Sequence, residues 1–171
     1  ALDRTNWKFG RCHINILMLG VVHEKVCIPL FWLLLNKAGN SNARERTDLM
    51  AKLNRVFPDQ PIASLSGDRE FIGETWLHWL ESKDIPFVLR LKENMFIWKE
   101  GYVPVKLSAH ARHLKKRQKR ILEGTWYLGR DPEKRTTPIK IAMMRLKTGE
   151  MLIVAASRIR IKTALPIYRN R

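Results

Sequence analysis

The sequence predicts an α/β domain: a mixed five-stranded sheet flanked by helices, with a mostly β insertion ahead of a terminal helix. Three observations carry this. Three strand-forming apolar runs open the chain, and a short polar link joins the second to the third. Helical and strand periodicities then alternate as far as Leu91. Beyond Leu91 the alternation stops, and short β-type segments take over until the last few residues.

Ala1 to Phe9 reads as a first strand, with Trp7 and Phe9 as apolar anchors and Asp3 as an acid inside a half-buried pattern. Ile14 to Val22 and Val26 to Leu35 are the next two strands. His23-Glu24-Lys25 between them predicts an antiparallel hairpin. The unbroken apolarity of the third strand predicts cover on both of its faces. Ser41 or Asn42 should cap a helix over Ala43 to Phe57, whose Leu49, Leu53 and Val56 recur at helical spacing. Ile62 to Leu65 is a short strand stopping at Ser66-Gly67, where a glycine suits a strand-to-helix corner for its backbone freedom. Gly73 to Lys83 is a helix with Trp76 and Trp79 near its core face, and Phe87 to Leu91 is a fifth strand. A meander followed by two crossovers yields the mixed sheet.

The expected division is therefore 1–91 as core, 92–160 as a β-rich basic insertion, and 161–171 as the start of a terminal helix. In the insertion, Met95 to Trp98, Tyr102 to Leu107 and Gly124 to Leu128 are strand-like, and Asp131 to Thr137 is a polar loop. Ile139 to Leu146 and Met151 to Ala156 form a hairpin around Thr148-Gly149. Leu165 to Arg171 reads as the first turns of a helix, with Pro166 early in it.

Charge narrows the function. Thirty-two Lys and Arg against sixteen Asp and Glu give the 171 residues a net charge of +16 and a pI near 10.4. A polyanionic partner, most simply nucleic acid, fits such an excess, with an anionic membrane surface as the competing partner. The densest run lies in Ala111 to Arg120, where Arg112, Lys115, Lys116, Arg117, Lys119 and Arg120 are placed to track phosphates. A solvated helix face is the plain alternative. Val26 to Leu35 is too short to span a bilayer, which takes about 20 residues, so no membrane role is expected. Cys12 and Cys27 lack C-x-x-C spacing and read as buried free thiols of a reducing compartment. His110 and His113 share a helical face but have no acidic or thiolate partner nearby, which argues against a metal pair. The chain opens on Ala1 inside a strand, which is expected of a piece of a longer protein.

Two acids carry the chemistry. Asp68 stands at the carboxyl end of a strand, where open α/β sheets bind ligands and ions, although it also suits a plain capping role. Asp3 lies on what should be the adjacent strand. Two such carboxylates can share Mg²⁺, which keeps most of its waters and takes one or two carboxylates. Paired ions about 4 Å apart clamp both oxygens of an in-line phosphodiester displacement.

Leu2-Asp3-Arg4-Thr5, Ser66-Gly67-Asp68-Arg69-Glu70-Phe71 and the closing Tyr168-Arg169-Asn170-Arg171 together resemble the DDE transposases of bacterial insertion sequences. The branch is insertion-sequence family four, marked by Tyr-x-x-Arg-x-x-x-Glu-x-x-x-x-x-x-Lys. Tyr168 and Arg171 match its first two positions, and its Glu and Lys would fall past Arg171. The resemblance implies an RNase H-like catalytic core that cuts at transposon ends and joins the freed 3′-hydroxyl to target DNA. Mg²⁺ is the implied cofactor, with Mn²⁺ as a substitute. Asp3 and Asp68 would be catalytic metal ligands, and Tyr168 and Arg171 would hold DNA phosphates. A homodimer in a synaptic complex and a bacterial, nucleoid-associated, cytoplasmic setting are implied too. Relatives stack a flipped base on an insertion aromatic, for which Trp98, Trp126 and Tyr127 are the candidates. Without the third acid, the chain by itself is expected to be inactive. A hydrolytic nuclease on the same fold and a non-catalytic or decayed DNA-binding module are the alternatives.

Overall fold

The computed structural model describes residues 1–134 and 136–171. Arg135, within the expected loop Asp131 to Thr137, and the side chain of Phe9 lie outside the described residues. Among those described, no helix is long and apolar enough to cross a membrane.

The chain builds two sheets in place of the one five-stranded sheet expected. β1 (Leu2–Phe9), β2 (Cys12–His23) and β3 (Val26–Leu34) form a three-stranded antiparallel meander. Glu24 and Lys25 both take left-handed backbone angles, φ 47° and 68°, so the polar link is the tight turn its length demands. The second sheet has seven strands in the order β4-β5-β10-β9-β8-β6-β7. These are β4 (Leu65–Gly67), β5 (Phe87–Arg90), β6 (Phe96–Trp98), β7 (Val105–Lys106), β8 (Lys119–Leu128), β9 (Ile139–Arg145) and β10 (Met151–Ser157). β4 and β5 are parallel, joined through α2 (Glu74–Ser82), as a parallel pair requires. β10 pairs antiparallel with β5, from Val154 opposite Arg90 to Ser157 opposite Phe87. The stretch after Leu91 therefore widens the sheet that β4 and β5 begin.

Two apolar layers cover this sheet. On one side α1 (Ala43–Val56), α2 and α3 (Leu107–Ala111) pack Leu49, Met50, Trp76, Leu77 and Leu107 against Leu65, Phe87, Leu89, Ile141 and Ile153. Leu2, Leu17 and Leu19 of the meander join that core. On the other side α4 (Ile161–Arg169) packs Ala164, Leu165 and Tyr168 against Val88, Ala142, Leu152 and Val154. Alternation along each strand thus sends neighbouring residues to opposite helices.

Several local expectations change. The strand before Asp68 is Leu65–Gly67, and a three-residue 3-10 turn, Arg69–Phe71, comes before α2. Gly67 has no left-handed angle. A Cβ there would sit 3.0 Å from both Leu89 Cδ2 and Phe71 Cδ2, so space is what selects glycine. β3 is not covered on both faces: Val26, Ile28, Trp32 and Leu34 are exposed, because β3 closes one edge of a sheet that, among the described residues, has helices on one side only. Trp7 is likewise exposed and anchors nothing. α4 begins at Ile161, which puts Pro166 inside the helix. Cys12 is exposed and Cys27 half-buried; both are free thiols, but neither is in the core. α3 ends at Ala111, so His110 and His113 do not share a helical face. Asn42 is the cap of α1, in a reciprocal pairing with Glu45.

Candidate active site

Asp68 ends β4 and stays in an extended conformation, φ −83° and ψ −178°. Its side chain therefore continues the alternation: Leu65 faces α1 and α2, while Ser66 and Asp68 face α4. Its Oδ1 accepts the Arg69 backbone N–H at 2.8 Å, the capping bond foreseen for it, though on a 3-10 turn. The same oxygen accepts the Tyr168 hydroxyl at 3.3 Å, and Arg171 Nη2 stands 3.7 Å from Oδ2. Arg171 also donates to the Tyr168 hydroxyl at 2.8 Å and lies over its ring. Tyr168 and Arg171 are three apart on or just past α4, so one helical face delivers both. Burial pushes the Tyr168 phenol above its ordinary range, as does the Asp68 charge, outweighing the opposing pull of Arg171 and Arg90. At neutral pH it is a hydroxyl donor.

Asp3 reaches the same side by the same rule. Leu2 is fully buried among the α1 and α2 core, so Asp3 points the other way and is exposed. β1 runs beside β4, although the two belong to separate sheets. A cross-tie fixes them. Arg4 grips both oxygens of Glu70 through Nε, at 3.0 and 2.9 Å, and its Nη2 lies 2.9 Å from Oε2. The residue after Asp3 is thereby bound to the residue two past Asp68. Arg46 of α1, buried, donates to the Glu70 carbonyl at 3.0 Å and lies over the Phe71 ring, which sets the turn from behind.

Three further charged residues complete the cluster. Arg90 ends β5 with its side chain on the α4 side, the side of Val88. Glu150 precedes β10 on the side of Leu152. Its Oε1 accepts from Arg69 Nη2 at 2.6 Å and from Arg90 Nη2. The hydrogen bond to Arg90 is the main cause holding the Glu150 carboxyl below its usual range. Arg90 and Glu150 belong to none of the sequence motifs. A cation closing the all-apolar Phe87-Val88-Leu89 was a usable signal for the first; nothing local marked the second.

The basic run sits at the same edge. β8 starts at Lys119, opposite Met144 near the end of β9, and β9 turns into β10 at Glu150. Arg112, Lys115, Lys116, Arg117, Lys119 and Arg120 are all exposed. They occupy a turn and the start of a strand, not a helix, with Arg117 at φ 68°. Arg145 fastens this loop, donating to the carbonyls of Leu114 and Gly149 at 2.6 and 3.0 Å. Trp98 and Trp126, 4% and 7% exposed, are core residues with no free ring face for a base. Tyr127 stacks on Trp98 at 4.6 Å. Trp76 and Trp79 stack on each other as core. The open aromatic of the insertion is Tyr102, 63% exposed under Lys99.

Among the described residues, no three His, Cys, Asp or Glu side chains cluster as a metal site. The donors that are present suit a hard cation: two carboxylates on one side of the fold, with Oδ2 of Asp3 accepting no hydrogen bond among the described residues.

Comparison with solved structures finds the piggyBac transposase, determined by cryo-EM in a synaptic complex with hairpin DNA. It shares the fold at a TM-score of 0.56 and 12% identity, with 99% of this chain covered and 36% of that one. The chain thus spans about a third of that protein's length. No curated protein matches the sequence. The family described as "Transposase DDE domain" matches residues 4–161, a span that includes Asp68 but begins just after Asp3 and stops short of Tyr168 and Arg171. With most of its length matched, the chain belongs to the transposase DDE domain family.

Proposed function

We propose that this chain is the RNase H-like catalytic core of a DNA transposase of the insertion-sequence family four type, which cleaves transposon ends and transfers the 3′-hydroxyl to target DNA. Residues 1–91 supply the core, 92–160 an insertion that widens the DNA-facing edge, and 161–171 the start of the last core helix. One observation carries the reading. A single sheet edge gathers Asp68, Arg90, Glu150 and the basic run, with Asp3 on the adjoining strand and Tyr168 and Arg171 over them.

Asp3 and Asp68 are the residues that would hold Mg²⁺ (or Mn²⁺). Bound there, the ion supplies positive charge to the phosphodiester oxygens at the point of cleavage. Tyr168 orients Asp68 by donating to Oδ1, and Oδ2, with Arg171 Nη2 3.7 Å away, would be the oxygen offered to the ion. Arg171, held by the Tyr168 hydroxyl, offers its remaining donors to a phosphate. Arg112, Lys115, Lys116, Arg117, Lys119 and Arg120 carry the flanking duplex through its backbone without reading bases. The working assembly is a homodimer that pairs two transposon ends.

The test uses the whole transposase to which the domain belongs, with a labelled transposon-end duplex and a target plasmid. Joined products that require Mg²⁺ and vanish in Asp3→Asn and Asp68→Asn, with duplex binding retained, are the expected result. Nicking without joining would make it a hydrolytic nuclease. Binding with no Mg²⁺-dependent cleavage would leave a DNA-binding module.

A further inference from the structure

Glu150 is placed as a guest in a cationic site. It sits on the turn between β9 and β10, where Gly149 takes φ 94° and the Leu146 N–H closes onto the Glu150 carbonyl at 2.8 Å. Two guanidinium groups converge on its Oε1, those of Arg69 and Arg90. Of the two hosts, the Arg69 side chain is 42% exposed, close to the guest, and only Arg90 is mostly buried. The Arg90 side chain is 13% exposed, whereas that of Glu150 is 48% exposed. Arg90 is also incompletely satisfied: its Nε is buried with no partner among the described residues. One carboxylate therefore faces two cations and leaves a buried donor idle. A backbone phosphodiester presents its own pair of charged non-bridging oxygens, and guanidinium forks bind phosphates in paired hydrogen bonds. The position matters as well, because Arg69 directly follows Asp68.

We propose that Arg69 and Arg90 form a binding site for a DNA backbone phosphate beside Asp68, and that Glu150 occupies this site when DNA is absent. The proposal rests on the reading that this sheet edge meets DNA. It assigns Glu150 a competing role: the carboxylate keeps the two cations in position, then yields them to the phosphodiester. A permanent structural bridge would instead stay closed in the complex.

The test is duplex binding by fluorescence anisotropy across a salt series, using the 171-residue chain and a short labelled DNA duplex. Glu150→Gln removes the competitor. Asp59→Asn makes the same charge change in the exposed loop before β4, at the opposite end of the strand. If Glu150 competes, E150Q binds about tenfold tighter than the parent chain, the size of one charge-assisted contact released, while D59N shifts affinity by no more than about twofold. On an Arg90→Gln background the gain disappears, and R90Q lowers the log–log salt slope by about 0.9, one phosphate contact. Arg69→Gln, at a more exposed position, repeats the experiment if R90Q does not fold. A gain in E150Q equal to that in D59N, or one that survives on both arginine backgrounds, overturns the proposal while DNA binding itself stands. Absence of any salt-dependent duplex binding by the parent chain overturns both this proposal and the transposase reading.

Discussion

Arg4→Met tests whether the two aspartates are held together by the residues beside them. Arg4 makes three close contacts to Glu70 and further hydrogen bonds to Asn15 Oδ1 and Asn40 Oδ1, at 3.1 and 3.3 Å. The pair is mostly buried, with side chains 14% and 20% exposed. Methionine keeps the aliphatic stem but leaves the Glu70 carboxylate without its partner. Breaking a fully buried pair costs about 3–5 kcal/mol; with water able to reach part of Glu70, about 2–3 kcal/mol is expected. For a domain of this size that is a fall in Tm of about 4–12 °C. Urea unfolding followed by the fluorescence of the six tryptophans measures it. The double variant Arg4→Met/Glu70→Leu should lose less than the sum of the single losses, since each single change strands a charge that the double change removes. Stabilisation by Mn²⁺ should weaken in R4M as well, because the strand of Asp3 is no longer tied to the turn after Asp68. A loss below about 1 kcal/mol, or strict additivity in the cycle, refutes the cross-tie.

Three other outcomes follow from the packing and charge. Gly67→Ala should cost about 1–3 kcal/mol by overpacking, because its Cβ presses on Leu89 and Phe71; a neutral urea midpoint would show that those side chains yield freely. Replacing Lys115, Lys116 and Lys119 by Gln should lower the log–log salt slope of duplex binding by up to about 2.7 without changing sequence preference, and an unchanged slope would place the duplex elsewhere. His110 is kept below its ordinary pKa, first by burial and then by Arg120, and its Nε2 is buried without a partner among the described residues. The unfolded imidazole binds its proton more readily, so this stability is present above the unfolded value of 6.5 and is lost as pH falls from there toward the folded value. Urea midpoints at pH 7.5 and 5.5 should therefore diverge more in the parent chain than in His110→Phe, and equal divergence would deny His110 the role.

Local chemistry was legible where one residue type has one use. Glu24 and Lys25 had to turn because two strands cannot meet otherwise. Asn42 and Glu45 form a cap pair whose signature is written in the sequence. The place of Asp68 at the end of a strand was legible too, and so was its capping role. What failed depended on partners far along the chain. The pairing of β10 with β5 spans the insertion and leaves no periodic trace, so the sequence alone keeps the insertion apart from the sheet it widens. The apolarity of β3 looked like burial on both faces, yet Trp32 and Leu34 face outward because no described helix packs on that side of the meander. Gly67 suggests backbone freedom from its sequence context, but the neighbouring Leu89 and Phe71 are what require it.

The site could nonetheless have been assembled from alternation alone, given the strand pairing. Leu2, Leu65, Leu89 and Ile153 all face α1 and α2. One residue on from Leu2 and from Leu89 come Asp3 and Arg90. Three residues on from Leu65 comes Asp68, and three before Ile153 comes Glu150. Odd offsets put all four on the side of α4, and the antiparallel run of β10 against β5 brings Arg90 and Glu150 to one edge. A one-residue slip in β5 would send Arg90 into the α1 and α2 core and Leu89 to the edge. The charge cluster is thus a property of register, held by the same apolar residues that make the core. Substitutions at Val88 or Leu152 that alter strand pairing should scatter the site as thoroughly as the loss of any acid within it.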